Sequence, residues 1–435
     1  MPQPTVSARK KPEKKTFFSI MKMIGPGLVT GAADDDPSGI ATYSQTGAQF
    51  GYGQLWTVIF MLPLMIAVQE ACARIGAVTG KGIAAVVRDS YSKWILYPMV
   101  ILIIVANTIN IGADIGAMGA AAHLILPGSF VVYTLLFTAL ILVLEIFTSY
   151  KVYSKILKWL AITLLAYPVT LFIVHLPLLT VLIATFVPHF EFTFGFLFII
   201  TAVLGTTISP YMFFWEASQE VEEEKEKGLI DSEGKAHINK SYIHNLRVDN
   251  AMGMIISEIA TWSIIVVCAA ALNAHGITSI HTSADAAKAL EPLVQTFPHA
   301  GYLAKVIFSI GIIGLGLLSV PVLSGSASYA VSEAFKWSEG LNLKLTKAHG
   351  FYGVITIATL IGLLINFIGI DPIQALVVTA VINAVVAVPL VFLVAKIAGS
   401  KKIMGEYKSG WLSNIFVWLT FGAMAAAAIA MFSTL

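Results

Sequence analysis

The stretch Gly31-Ala32-Ala33-Asp34-Asp35-Asp36-Pro37-Ser38-Gly39 lies in the middle of an apolar run long enough to cross a membrane. A second stretch, Gly205-Thr206-Thr207-Ile208-Ser209-Pro210, interrupts another such run. Both are small, polar and broken by proline, which removes a backbone donor and disfavours helix at the residue before it. The two runs are the first and sixth predicted spans. Five spans apart, they cross in opposite directions. Matched breaks in two inverted halves are the sequence pointer to a transporter binding site at the membrane midplane.

The remaining composition fits a membrane reading. Hydrophobic residues make up 57% of the 435, charged residues only 12%, and mean hydropathy is +0.81. A soluble domain carries about 25% charged residues. A helical span needs about 20 apolar residues. On that measure spans are predicted at 24–48, 54–77, 95–122, 130–148, 157–175, 194–223, 248–272, 301–327, 349–369, 373–397 and 412–433. The expectation is an all-α integral membrane protein of about eleven transmembrane helices. It divides into an N-terminal arm (1–23), a transporter core of about ten helices (24–397), and a loop with the last helix (398–435). No soluble catalytic module is recognisable. The charged connection at 222–247 reads as a solvated loop, and 273–300 as an external segment with a short amphipathic helix.

Charge sets the orientation. Of 27 basic residues, 25 fall in the arm or in every second connection after it; Lys288 and Lys305 are the exceptions. The positive-inside rule places that face, with the N-terminus, in the cytoplasm, and the C-terminus outside a plasma (inner) membrane. The basic arm orients the first span and gives no reason to invoke nucleic acid. Cys72 and Cys268 lie in spans without metal or redox spacing and read as packing residues.

Asp36 is the first candidate ligand. A carboxylate in the bilayer core needs compensation, and a bound cation is the simplest form of it. Unwound backbone beside it frees carbonyl oxygens, which are ligands for hard cations. Capping the helix that follows is the alternative duty for the same residue. Asp34 and Asp35 repel it, and three adjacent carboxylates cannot all face one small site. Across the gap, Thr206 offers a carbonyl and a hydroxyl, and Ser209 a hydroxyl, unless each bonds back to its own helix. Carbonyls near Ala33 and Gly39 complete the candidate metal set. Asp35, Asp114, Asn383 and Glu216 are candidate members of an ion path. Glu216 begins the acidic run 216–224, read either as a cation-attracting exit or as a solvated helix end. Met212 reads as packing, and Tyr211, Phe213, Phe214 and Trp215 as gate or core residues.

At these residues the chain resembles the NRAMP family of divalent metal transporters, over nearly its whole length. The resemblance is carried by Gly25-Pro26-Gly27, Asp36-Pro37-Ser38-Gly39-Ile40-Ala41-Thr42, Gly47-Ala48-Gln49-Phe50-Gly51, Glu70-Ala71-Cys72-Ala73-Arg74-Ile75-Gly76 and Thr79-Gly80-Lys81-Gly82. It implies a LeuT-type inverted repeat of two five-helix halves, with metal held between the breaks of spans one and six. Two departures stand out. Gly39 occupies the position of the family's Asn in Asp-Pro-Gly-Asn, and Ser209-Pro210-Tyr211 replaces Met-Pro-His. An amide and a thioether ligand are therefore missing. Losing the thioether weakens selection for soft metals, and the extra room suits Mg²⁺, which keeps several waters. This pattern is similar to the NRAMP-related magnesium transporter branch. Asp114 matches the family's span-three acid, but Ala117 replaces a following Glu, and span nine has no Arg.

The expected function is a secondary transporter of divalent cations, Mg²⁺ with Mn²⁺ accepted, working by alternating access on the membrane potential without a coupled proton. It needs no cofactor and is not an enzyme; its partners are the metal substrate and the bilayer. Rival readings are a proton-coupled transition-metal importer, a carrier of small organic cations or amino acids on the same fold, an intramembrane enzyme with paired aspartates, and a metal sensor that has lost transport.

Overall fold

The computed structural model describes residues 31, 34–148, 166–231 and 236–434. Within them the chain is a helical bundle; the described residues hold no strand, only one isolated bridge between Ile230 and Ala236. The helices are α1 (Pro37–Phe50), α2 (Trp56–Thr79), α3 (Ile83–Ser90), α4 (Lys93–Ile125), α5 (Phe130–Phe147), α6 (Ala166–Thr170), α7 (Leu178–Phe186), α8 (Phe194–Thr207), α9 (Pro210–Glu226), α10 (Lys240–Ala271), α11 (Ala300–Phe335), α12 (His349–Ile365), α13 (Pro372–Ala398) and α14 (Trp411–Phe432). Counting α8 with α9 as one span, eight are long and apolar enough to cross a membrane. Most of the expected first half of span one and of span five lies outside the described residues, as does the arm. At 17 residues, α12 is apolar but shorter than each of those eight spans.

Both expected breaks are present. Asp35 and Asp36 are non-helical, and α1 starts at Pro37 with Asp36 as its N-cap. Span six divides into α8 and α9 at Ile208-Ser209, with Pro210 opening α9. Proline is at ease in a first helical turn, where its missing N–H would have no partner.

Helix packing relies on backbone contact at small residues, as expected where lipid removes any hydrophobic drive between helices. A Cβ added at Gly31 would lie 2.4 Å from Gly253 O, and one at Gly47 2.4 Å from Ile265 O, so span one is pressed along α10. The same test at Gly76 meets Ala217 O at 2.2 Å, joining α2 to α9. At Gly205 it meets Ala380 O at 1.9 Å and Ala384 N at 2.5 Å, joining α8 to α13.

The connections grouped by charge do meet on one face. Arg74, fully buried at the end of α2, donates through Nε to Glu70 Oε1 (2.8 Å), through Nη1 to Tyr407 O (2.6 Å) and through Nη2 to Ser409 Oγ (2.9 Å). Arg247 Nε donates to the same Glu70 oxygen at 2.8 Å. Arg88 donates to the Glu333 carbonyl, and Asn342 Nδ2 donates to Glu222 and Glu226. On the opposite face, Gln45 Oε1 accepts from Ile280 N (2.9 Å), Asn273 Nδ2 donates to Ala48 O (2.8 Å), and Trp56 Nε1 donates to His189 O (3.1 Å).

The loop expected at 222–247 is shorter than the charge pattern implied. Helix α9 runs on to Glu226, and α10 begins at Lys240, capped by Asn239. A Glu223–Lys227 ion pair supports the last turn of α9. The segment 273–300 carries short helices at Ser283–Ala287 and Glu291–Val294, the first closed by a Thr282–Asp285 capping box.

Gly205→Leu is expected to lower the melting temperature in detergent by more than about 10 °C, because the Ala380 backbone cannot yield. Gly353, with nothing within 4 Å of its added Cβ, is the control position, where leucine should be near neutral. Arg74→Met should cost about 3–5 kcal/mol by leaving Glu70 under-compensated; thermal unfolding of Arg74→Met beside Arg74→Met/Glu70→Gln checks this, the double variant recovering part of the loss.

Candidate metal centre between the two broken helices

Asp36 sits where the two breaks face each other, and its carboxylate is buried. Its Oδ1 accepts from Gly39 N (2.8 Å) and Ser38 Oγ (2.6 Å), both in the first turn of α1. The backbone bond is ordinary N-capping. Its Oδ2 accepts from Asn110 Nδ2 of α4 (3.2 Å) and Tyr211 Oη of α9 (3.3 Å). Three helices therefore aim donors at one carboxylate. All these donors are neutral, so they orient the negative charge without cancelling it.

The span-six break closes the other side. Ser38 Oγ lies 3.4 Å from Thr206 Oγ1, and Tyr43 Oη lies 3.0 Å from Thr207 Oγ1. Ser209 Oγ donates back to Thr206 O (2.6 Å) and Gly205 O (3.1 Å). Its proton is thereby committed, while its oxygen keeps acceptor capacity. Gly39 leaves the space between the breaks open: a Cβ there would lie 3.2 Å from both Thr206 Oγ1 and Tyr43 Cε2. Ala33 lies outside the described residues.

The ion-path candidates are all buried, but in different places. Asp114 is one turn from Asn110 on α4; its Oδ2 accepts from Ser319 Oγ at 2.6 Å, and its Oδ1 has no partner. Asn383 stands on α13 between Ala380 and Ala384, the residues that touch Gly205, and both its carboxamide atoms are unpartnered. Asp35 has one unpartnered oxygen and lies near the Ser257 and Thr261 hydroxyls of α10. Glu216 lies farther along α9, where its Oε1 accepts from Asn250 Nδ2 at 3.4 Å. Met212 and the aromatic residues beside it are buried.

Several members of the site escaped sequence reading. Tyr211, read as bulk, gives its hydroxyl to Asp36. Asn110 gives an amide, and its i, i+4 spacing to Asp114 was the available signal. Glu258 on α10 is buried with neither oxygen partnered. The charges acting on Asp34 are Asp35, Asp36 and Glu258, all acidic; Ser257 Oγ approaches Asp34 Oδ2 at 3.5 Å. An intramembrane acid in an apolar run was the sign for Glu258.

Among the described residues, no three His, Cys, Asp or Glu side chains converge tightly enough to hold a bare metal ion. One carboxylate, hydroxyl oxygens and a surrounding wall of acids fit instead a hard cation that keeps part of its water. The groups that donate to Asp36 are a backbone N–H, two hydroxyls and an amide. A cavity of about 410 Å³ opens on the basic face, lined by Lys81, Arg88, Lys225, Glu333, Trp337 and Glu339 among others. It does not reach Asp36. Burial pushes the Glu339 carboxyl there up to about 9, and the nearby Glu333 adds to the effect.

The architecture has counterparts among solved structures. An Eremococcus coleocola manganese transporter, in complex with an aromatic bis-isothiourea substituted compound, superposes with a TM-score of 0.74 at 15% identity, over 98% of this chain and 89% of that one. MhsT in complex with L-phenylalanine gives 0.59 at 12% identity, over 94% and 97%. The fold is thus the expected LeuT-type arrangement. In sequence, the divalent metal cation transporter MntH of Yersinia pestis (strain Pestoides F) is 26% identical over 411 residues, covering 92% of this chain and 91% of that protein. The MntH of Klebsiella pneumoniae (strain 342) is 26% identical over 433 residues, covering 94% and 96%. A family model described as natural resistance-associated macrophage protein-like matches residues 27–434. That match leaves only residues 1–26 and the last residue uncovered, and the chain belongs to the NRAMP family.

Proposed function

We propose that this protein is a secondary transporter of divalent metal cations that carries Mg²⁺, and accepts Mn²⁺, into the cytoplasm by alternating access. The observation that carries this reading is the Asp36 carboxylate, held between two broken helices by neutral donors and backed by the acids Asp34, Asp35 and Glu258. Relatives named as divalent metal cation transporters and a fold shared with a manganese transporter support the substrate class.

In this reading Asp36 neutralises charge. Thr206, Ser209 and the backbone near Ala33 and Gly39 line a loose shell in which water fills the remaining positions. Asp34, Asp35 and Glu258 attract the ion through its waters, which suits Mg²⁺ because it dehydrates reluctantly. The absence of the family's thioether position, filled here by Ser209, favours a hard ion over a soft one. The basic face is cytoplasmic.

The driving force is the membrane potential. It supplies about 2.3 kcal/mol per charge per 100 mV, hence about 4.6 kcal/mol for a divalent ion. That sustains an accumulation of roughly three orders of magnitude without a coupled proton. Ala117 in place of an acid, and a span nine without arginine, support uncoupled uptake.

The test is flux into proteoliposomes under an inside-negative potential, with an internal pH dye. Mg²⁺ uptake without acidification is expected, falling at least about tenfold in Asp36→Asn. Stoichiometric acidification would replace the uniport reading by proton coupling; no uptake of Mg²⁺ or Mn²⁺ by well-folded protein would end the metal-carrier reading and point to organic solutes. Restoring a thioether with Ser209→Met should raise the Mn²⁺ to Mg²⁺ uptake ratio by about tenfold; an unchanged ratio would show that this position does not set selectivity.

A further inference from the structure

The acids at the end of α9 divide into two groups with different duties. Glu222 accepts from the Tyr329 hydroxyl, from Leu341 N (2.9 Å) and from Asn342 Nδ2 (2.9 Å). Glu223 pairs with Lys227, and Glu226 accepts from Asn342. These three tie the helix end to its loops. Glu216, Glu220 and Glu224 do not belong with them. A spacing of four residues places them on one side of the helix, about 6 Å apart along its axis. All three are buried, at 0%, 4% and 0% exposure, so the solvated helix end offered by the sequence is not what this side of α9 forms.

Neutral groups reach two of the three. Glu216 has the Asn250 amide at 3.4 Å, and Glu220 has the Tyr242 hydroxyl at 3.1 Å. Neither oxygen of Glu224 has a hydrogen-bond partner, and the charges acting on it are those of Glu223 and Lys227. The charged groups acting on Glu220 are Glu216, Glu223 and Glu224, all acidic. A row of buried like charges is costly unless a cation visits it. A separate observation points the same way. Asn250, on α10, turns its amide to Glu216 and leaves its carbonyl oxygen buried without a partner, a neutral oxygen ligand beside the uppermost acid.

The row leads away from the Asp36 site. Helix α9 starts at the break that supplies Tyr211 and runs to the basic face, so about 21 Å of helix separates Pro210 from Glu224. In this conformation α9 is packed against α2 and α11, with Gly76 against Ala217 and Gly325 against the Trp215 ring. The row is sealed, as the inner path of an alternating-access carrier is when its inner gate is closed.

We propose that Glu216, Glu220 and Glu224 form the release path for the transported divalent cation, stepping it in hydrated form from Asp36 to the cytoplasm, with Glu224 the last position before release. This rests on the metal-carrier reading above. The experiment is Mg²⁺ uptake into proteoliposomes under an inside-negative potential, with Glu220→Gln, Glu224→Gln and the exposed control Glu226→Gln, each checked for monodispersity. Both buried-site variants should lower kcat about fivefold or more while KM for external Mg²⁺ stays within about twofold, because entry still depends on Asp36. Glu224→Asp should recover most of the rate, and Glu226→Gln should match the wild type. Wild-type kcat in both buried-site variants overturns the path while leaving the carrier reading intact, as does a loss that Glu224→Asp fails to restore. Absence of uptake by the wild type overturns both. Should the Gln variants aggregate, Glu220→Ala and Glu224→Ala, which also remove the carboxylate, carry the same comparison, and unchanged kcat in both again overturns the path.

Discussion

The structure is organised around one desolvated carboxylate. Asp36 is too far from water to be left alone, and the chain meets that demand from three helices. The first turn of α1 gives a backbone N–H and the Ser38 hydroxyl, α4 the Asn110 amide, and α9 the Tyr211 hydroxyl. Every donor is neutral. A guanidinium or ammonium in their place would neutralise the site permanently, whereas neutral donors hold the carboxylate in place and leave its charge for an incoming cation. The proposed function follows from that restraint.

Holding the donors in register needs helices that approach closely. In a bilayer the apolar side chains of two helices gain little by leaving lipid for one another, so packing and backbone proximity carry the association. The glycines at 31, 47, 76 and 205 are the places where this is done: each touches a neighbouring backbone that a single added carbon would meet at 2.4 Å or less. Gly205 bears most directly on the site. It sets α8 against α13 one residue before Thr206 and brings the unpartnered Asn383 beside the break.

Charge at the basic face serves two purposes. The Arg74–Glu70–Arg247 group, the Arg88–Glu333 contact and the Glu222 cluster lock α2, α3, α9, α10 and α11 together. These are hydrogen-bonded, mutually satisfied groups. Glu216, Glu220 and Glu224 lie within two turns of Glu222 on the same helix, and neither oxygen of Glu224 has a hydrogen-bond partner. The same run of letters thus supplies both fasteners and a row of buried acids, and the two are told apart by which side of one helix they occupy.

The sequence alone determined the broken helices, the all-helical membrane class and the grouping of basic connections, because apolar length, proline and lysine–arginine placement act locally along the chain. Asp36, Thr206 and Ser209 were legible as candidates for the same reason: a carboxylate and hydroxyls in a break are anomalous wherever the rest of the fold goes. Only the tertiary structure decided what surrounds them. Nothing near Tyr211 in sequence says its hydroxyl reaches Asp36, 175 residues away. Nothing local says that Asn110 turns toward the same oxygen, or that Glu258 joins Asp34 and Asp35. The acidic run at 216–224 shows the limit most plainly. Its letters are compatible with a solvated end, and its burial comes from α2, α10 and α11 closing around it, since solvation is a property of the neighbours a helix acquires and not of its own residues.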